Sequence, residues 1–592
     1  MRSGRPLSNG MTEERLGISE IGGGTAIFWT ELELWAGEGR STQRNNLRYL
    51  CAKLRIHMRN LLFTLPILMS FLCLETAVLS AQTTGAPHLE KRGAATQLIL
   101  DGKPFLMLSG ELHNSSSSNL EYMKPIWPRL KAMSLNSVVT PLSWELIEPK
   151  EGSYDFALVD GLIEQARDSQ QKIVFLWLAS WKNGLSSYEP VWVKQDTKRF
   201  PRMVLHSNPV EILSPQGAAT EEADARAFAA LMKHIKVADG SEHTVVMMQI
   251  ENEVGVLGDS RDHSEAANKA FASAVPAELT AYLKAHRETL YPDLKDWWDA
   301  NGNKTAGTWT EVFGDSERAD EIFMAWHYAR YIHAVAKAGK AEYDIPMYAN
   351  TWLMGDTTPP GEYPSGGAEP RVMDVWRAAG PGLDFYSPDI YAPNFTEWSR
   401  RYHRDGNPLY VPETRGGELG AANVFYALGE EAGLGFSAWA IDSEASDTNP
   451  LGQSYKAIAG VAPLLAEAQS KGDVHGFLLD NNRRTANFTM NGVTLHLSLD
   501  KSFGSAATSA FGLIMATGKN EFVGVGKGFR VTFVARADGG QQVGIAGVDE
   551  GTYEDGKWVA GRRLNGDENE QGVAWRFDSK QVRTEKVELY RF

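Results

Sequence analysis

The chain has 592 residues, 43% of them hydrophobic and 22% charged, and a formal net charge of -15. That is ordinary globular composition with room for two or more domains, and its acidity argues against nucleic acid or an anionic membrane surface as partner. The two cysteines, Cys51 and Cys73, fall near the N-terminus, which excludes a thiol nucleophile or cysteine metal ligands from everything after them.

Met58-Arg59-Asn60 precedes a short apolar run, Leu61 to Leu74, and the small-residue segment Ala77-Val78-Leu79-Ser80-Ala81. This order describes a secretory signal peptide over 58–81, cleaved after Ala81. The run is shorter than the ~20 residues of a spanning helix, so no stable membrane insertion is expected after cleavage. Residues 1–57 would then be an upstream extension from a mis-assigned start. The reading implies an exported protein, periplasmic or extracellular.

From about residue 95 to 450, short apolar β-rich runs alternate with longer helical stretches. Strands are expected at Phe105–Leu112, Ser137–Pro141, Ile173–Ala179, Thr244–Glu251, Pro346–Asn350, Leu383–Ile390, Leu409–Glu413 and Gly435–Trp439. Nearly continuous apolar strands separated by helices imply a parallel sheet covered on both faces. Eight such units predict an α/β fold, a (β/α)8 TIM barrel. A doubly wound open sheet is the alternative, and no Gly-rich first turn supports it. Intervening helices are expected at Asn119–Met133, Asp160–Gln170, Glu221–Val237, Ala277–Leu290 and Ser316–Ala341, their apolar stripes read as packing faces.

A connecting helix is expected within 451–472. From 473 to 592 short alternating runs, such as Val493 to Leu499 and Phe529 to Ala535, are divided by Gly, Asn and Asp turns. This predicts a C-terminal all-β sandwich. Gly524 to Gly528 lacks phosphate-loop spacing and reads as a turn. His113, His243 and His263 have no metal-ligand spacing, and no metal or cofactor is expected.

The chemistry-bearing residues sit at strand ends. The fourth run ends in Gln249-Ile250-Glu251-Asn252-Glu253, and the seventh ends in Pro412-Glu413. Ionised carboxylates are costly to bury, so a strand seldom aims several at one place without using them. In a (β/α)8 barrel the C-terminal strand ends form the active-site mouth, and strands four and seven can face each other across it. Taken alone, either glutamate could pair with an arginine such as Arg415 or cap a helix. Together, a fourth-strand glutamate, Glu251 or Glu253, and Glu413 are the equipment of a glycoside hydrolase.

Gln249 to Gly255 closely resembles the Gln-(Ile/Val)-Glu-Asn-Glu-Tyr-Gly signature of family 35 glycoside hydrolases, the β-galactosidases. Ser109-Gly110-Glu111-Leu112-His113 is similar to that family's first-strand stretch, and Asn136 through Trp144 to Phe156 to its second. The segments Gly547 to Gly551 and Arg562 to Glu568 resemble the small β domain of a bacterial subgroup. The resemblance implies a retaining exo-β-galactosidase acting on terminal β-galactosyl residues of oligo- or polysaccharides, xyloglucan side chains among them. It makes Glu253 the acid/base, Glu413 the nucleophile, Asn252 the partner of the sugar 2-OH and Tyr391 the residue that orients Glu413. Glu111 is counted among the substrate-binding residues, and Glu251 is expected to support the site.

The sequence departs from the family after strand three. Ala179-Ser180-Trp181-Lys182-Asn183 stands where the family carries Ala-Glu-Trp, so Trp181 and Asn183 are taken as substitutes in sugar recognition. Trp352 and Trp439 are taken as stacking walls, with Trp144 a further candidate. The departure keeps a clan-related β-glycosidase open, a β-glucosidase or α-L-arabinopyranosidase. A non-catalytic carbohydrate-binding protein is the remaining alternative. A homodimer is compatible with the composition.

Overall fold

The computed structural model describes residues 85–592, apart from 354, 447, 503–504, 536–541 and 555. The expected upstream extension and signal peptide lie outside the described residues. Among these residues, no helix is long and apolar enough to cross a membrane.

The barrel strands are β1 (Met107–Glu111), β2 (Ser137–Ser143), β3 (Lys172–Lys182), β4 (Val245–Asn252), β5 (Met347–Trp352), β6 (Phe385–Ile390), β7 and β8 (Gly435–Ala438). Strand β7 comes in two pieces, Tyr410–Val411 and Glu413–Thr414, divided at Pro412, which has no N–H for the ladder. The first piece pairs with β8 and the second with β6, all parallel. Strand β8 pairs with β1, and β1 to β6 follow in order. The two pieces of β7 therefore close the ring.

Helices follow the strands in turn: α1 (Ile126–Ala132), α2 (Ala157–Asp168), α3 (Ala218–Asp239), α4 (Glu317–Glu342), α5 (Met373–Ala379), α6 (Phe395–Tyr402), α7 (Gly417–Gly429) and α8 (Pro450–Lys471). Strand β3 shows why the runs look continuously apolar. Its Val174, Leu176 and Leu178 fill the barrel interior with Met107, Val139, Val246 and Phe385. Its Ile173, Phe175 and Trp177 join the shell beneath the helices. Both faces are covered, so both carry apolar side chains. At roughly 25 cal/mol per Å² of apolar surface, this double burial is the main stabilising term.

Two features were not anticipated. A small antiparallel sheet, His88–Arg92, Ala95–Leu100 and Lys103–Pro104, precedes β1, and its Leu98 and Leu100 belong to the interior cluster. An antiparallel hairpin, Arg202–Leu205 with Asn208–Leu213, is inserted between β3 and α3.

After α8 come two larger antiparallel sheets and a two-stranded one, Lys501–Ser502 with Ser505–Ala506. A six-stranded sheet runs Val474–Leu479, Ala510–Gly518, Glu521–Lys527, Arg583–Arg591, Val543–Glu554, Lys557–Leu564 in spatial order, and a four-stranded one contains Thr485–Met490, Val493–Leu499, Phe529–Ala535 and Trp575–Arg576. They share a core of Phe477, Leu495, Leu497, Phe522, Phe529, Trp575 and Val587, as in a sandwich. Leu513, Met515 and Val523 of the larger sheet join the barrel's outer core instead, and Phe511 packs 5.3 Å from Phe425 of α7. The β domain is thus packed on the barrel rather than tethered to it.

Candidate active site

Every residue of β4 is buried, which fits a strand in the barrel wall. Its end is not regular. Glu251 has φ 58° and Glu253 has φ 47°. Non-glycine residues there cost of order 1–3 kcal/mol each, strain that tends to be kept at functional sites. Gly255 follows at φ 145°, where a Cβ would run into the Pro364 backbone. The irregular end sends consecutive side chains to different partners.

Glu251 turns to the end of β3. It accepts hydrogen bonds from the backbone N–H groups of Ala179 (3.2 Å), Ser180 (2.8 Å) and Trp181 (2.9 Å). It also meets Asp224 of α3, and both carboxyls are pushed above their ordinary range, chiefly by burial. Two carboxyls in contact in such a place hold a proton between them. Glu251 thus ties the end of β4 to the end of β3.

Glu253 takes the opposite course. Its backbone N–H donates to Asn350 Oδ1 at 2.9 Å, and its carboxylate accepts from Asn183 Nδ2. Asn350, on β5, also donates from Nδ2 to Asp389 Oδ2 at 2.6 Å. Asp389, on β6, hydrogen-bonds Glu253 and lies in register beside Glu413 of β7. Glu413 Oε1 accepts from the Tyr391 hydroxyl at 2.6 Å. Carboxylate oxygens of Glu253, Asp389 and Glu413 all lie within 4.8 Å of one another, which also makes them a set that could meet a cation.

Burial, then the charge of Glu413, pushes Glu253 up to about 7. Asp389 is raised by burial and by the same two neighbours. Glu413 is raised by burial and held back by Lys182, Tyr391 and Asn252. All three carboxyls are raised; Glu253 is suited to hold a proton near neutrality, and Glu413 is the one on which Lys182, Tyr391 and Asn252 together act against the rise. Being coupled, the carboxyls titrate as a set.

Asn252 accepts from Lys182 Nζ through Oδ1 at 2.8 Å. Its NH₂ approaches Glu413 but is buried without a hydrogen-bond partner. Tyr391 is 37% exposed at the rim. Trp352 closes β5 in register with Asp389, and Trp439 directly follows β8; both are half-buried. Trp439 meets His113 edge-on at 5.2 Å, and His113 is held by Asp442.

Some expected sugar contacts are placed elsewhere. Trp181 is fully buried, donates from Nε1 to the Leu213 carbonyl at 2.9 Å, and packs edge-on against Tyr328 and Tyr331 of α4. Its neighbour Ser180 also turns to the helix side, because the register of β3 against β4 shifts between Trp177 and Lys182. Trp144 is likewise core, bonded to Glu148. Glu111 is within electrostatic reach of Glu413, Lys182 and Glu253 and is completely buried, with its carboxyl pushed well up by burial. Asn183 is at the site but engaged with Glu253. Lys182, Asn350 and Asp389 were overlooked. Asp389 and Asn350 both lie at ends of expected strands, which is the signal that could have found them.

A β-galactosidase family model, that of glycoside hydrolase family 42, matches residues 118–333. A domain of unknown function, DUF5597, matches residues 451–576. The matched model is family 42, whereas the sequence motifs resemble family 35. A β-galactosidase of Xanthomonas manihotis is 25% identical over 175 residues, 29% of this chain and 27% of that protein. Beta-galactosidase 8 of Oryza sativa subsp. japonica is 27% identical over 166 residues, 28% of this chain and 23% of that one. The chain thus spans about a quarter of these curated relatives. Among solved structures, the β-galactosidase of Rahnella sp. R3 superposes with a TM-score of 0.41 at 15% identity, covering 61% of this chain and 56% of the other. The β-amylase catalytic domain of Paenibacillus polymyxa gives 0.42 at 13%, covering 60% and 98%. The chain carries a β-galactosidase-like glycoside hydrolase barrel, followed by β sheets that fall largely within the DUF5597 match.

Proposed function

We propose that the protein is a retaining exo-β-galactosidase of the family 35 type, with Glu413 as nucleophile and Glu253 as acid/base. The observation that carries this reading is that the two glutamates, from β4 and β7, each bring a carboxylate oxygen to within 4.8 Å of the other's, an approach that favours the closer of the two known spacings. Retaining enzymes hold their carboxyl groups ~5–5.5 Å apart, whereas inverting ones leave ~6.5–9.5 Å for a water molecule. In the first step a Glu413 oxygen attacks the anomeric carbon, while Glu253 gives its proton to the departing glycosidic oxygen. In the second Glu253 takes a proton from water, whose oxygen displaces Glu413 from the same carbon. Asn252 meets the sugar 2-OH, a contact that strengthens as charge develops at the anomeric centre. Tyr391 orients Glu413, and Trp352 and Trp439 wall the rim.

The proposed substrate is a terminal β-galactosyl residue on an oligo- or polysaccharide, xyloglucan side chains included, and the proposed place of action is outside the cytoplasm. One observation favours a second reading. Ser180 replaces the family's glutamate and bonds Asp224 and Tyr331 on the helix side, and Trp181 faces the same way. The contacts that would read the 4- and 6-OH are therefore changed, which keeps a β-glucosidase or α-L-arabinopyranosidase in view. A panel of nitrophenyl glycosides tests this. The β-galactoside should be cleaved fastest, and a faster β-glucoside or α-L-arabinopyranoside would transfer the assignment.

A further inference from the structure

We propose that Lys182 is a positioning residue that fixes the orientation of the Asn252 amide and brings a positive charge to the carboxyl cluster around Glu413. The inference rests on the reading of Glu413 and Glu253 given above.

Lys182 is at the last position of β3, and its segment is tied down on both sides. Its own N–H and C=O exchange hydrogen bonds with Leu185 at 2.8 and 3.0 Å, and the Asn183 N–H donates to the Asn252 carbonyl at 3.0 Å. The side chain is half-buried, and Nζ donates to Asn252 Oδ1 at 2.8 Å. An ammonium group has donors and no acceptor. It can bind an amide only through oxygen, so the NH₂ end of Asn252 must lie away from it. That end is the one that approaches Glu413. With a neutral apolar side chain at 182, the amide could turn over and offer oxygen to the sugar and to a carboxylate.

The charge matters as much as the hydrogen bond. Glu413 is faced by Glu253 from β4, Asp389 and Tyr391 from the end of β6, and Glu111 from β1. Four carboxyls in one buried place favour protonation of each other. Lys182 acts against this on Glu111, Glu253 and Glu413. Removing a positive charge raises a carboxyl pKa. Since Glu413 must be ionised and Glu253 protonated, loss of Lys182 should move the acidic and the basic limb of the pH profile in the same upward direction. A merely structural lesion would lower the rate without that paired movement.

The test compares Lys182→Met, Lys182→Gln and Lys182→Arg with the parent, using the glycoside the parent cleaves best. The fold of each is checked by circular dichroism. Lys182→Met should lose tenfold or more in kcat at pH 6, with both limbs raised by about one pH unit. Lys182→Gln keeps a donor for Asn252 Oδ1 but not the charge, so the limbs should stay raised while part of kcat returns. Lys182→Arg should bring the limbs back. Limbs unmoved in both Met and Gln variants, or unmoved in Gln alone should Met not fold, overturn the proposal. A second measurement needs no turnover: titration of the Glu413 side-chain carboxyl carbon by NMR. A rise of about one unit in Lys182→Gln supports the role, and an unchanged titration overturns it. If the parent cleaves no glycoside, the functional reading fails separately from this result.

Discussion

Replacing Glu413 by Gln should lower the pKa of Glu253 as well as stopping turnover. The closest oxygens of the two carboxylates are within 4.8 Å. At that separation two unit charges interact by roughly 3 kcal/mol at an effective dielectric of about 20, equivalent to roughly 2 pKa units. Each charge is spread over two oxygens, so a fall of about 1 to 2 units is expected. Glu253 starts from about 7, with burial as the first cause and the charge of Glu413 the second. Burial is unchanged in the variant, so the carboxyl should settle above 4.5 rather than return to it. The assay is carboxyl-carbon NMR on protein with labelled glutamate, the Glu253 resonance assigned by its loss in Glu253→Gln. If Glu253 titrates within about 0.3 units of its parent value in Glu413→Gln, the two carboxyls are not electrically coupled. The division into acid and nucleophile would then lose its physical basis.

Tyr391→Phe removes a 2.6 Å hydrogen bond to Glu413. Bonds to charged groups contribute about 1.5–3 kcal/mol, so kcat should fall tenfold or more. The bond favours the ionised form, so its loss should raise the acidic limb of the pH–rate profile. Trp181→Phe should lower stability to urea by about 1–3 kcal/mol, through the lost Leu213 bond and lost packing, with KM within twofold of the parent; a large KM effect would return Trp181 to the sugar site. Gly110→Ala brings a Cβ to 2.5 Å from Ile441 Cγ2. Overpacking of this kind costs about 1–3 kcal/mol, read as a lower urea midpoint with unchanged slope.

The barrel was legible because each of its strands is apolar on both faces and ends at a polar break. Observed β4 and β6 fall within about two residues of the expected runs. Pro412 showed in the sequence as part of Pro-Glu, yet its effect, two short pieces pairing on opposite sides, requires the ring to be known. The small sheet before β1 was missed because its strands, Ala95–Leu100 the longest, fell outside the eight-unit pattern. In the site, Glu253, Glu413, Asn252 and Tyr391 come together as the motif implied. Trp181 was misplaced because the irregular end of β3, where Ser180 and Trp181 both turn to the helix side, does not show in the sequence. Lys182 was passed over because a lysine after a tryptophan carries no signal until Asn252 and three carboxyls are seen around it.

The central claim is that Glu413 becomes covalently bound to the sugar. Incubating the enzyme with a 2-deoxy-2-fluoro-β-galactosyl fluoride, then digesting it and sequencing the modified peptide by mass spectrometry, tests it most directly. The account predicts one fluorogalactosyl group on Glu413. A label on Glu253 or Asp389, or no covalent label together with release of the inverted anomer from substrate, would contradict it.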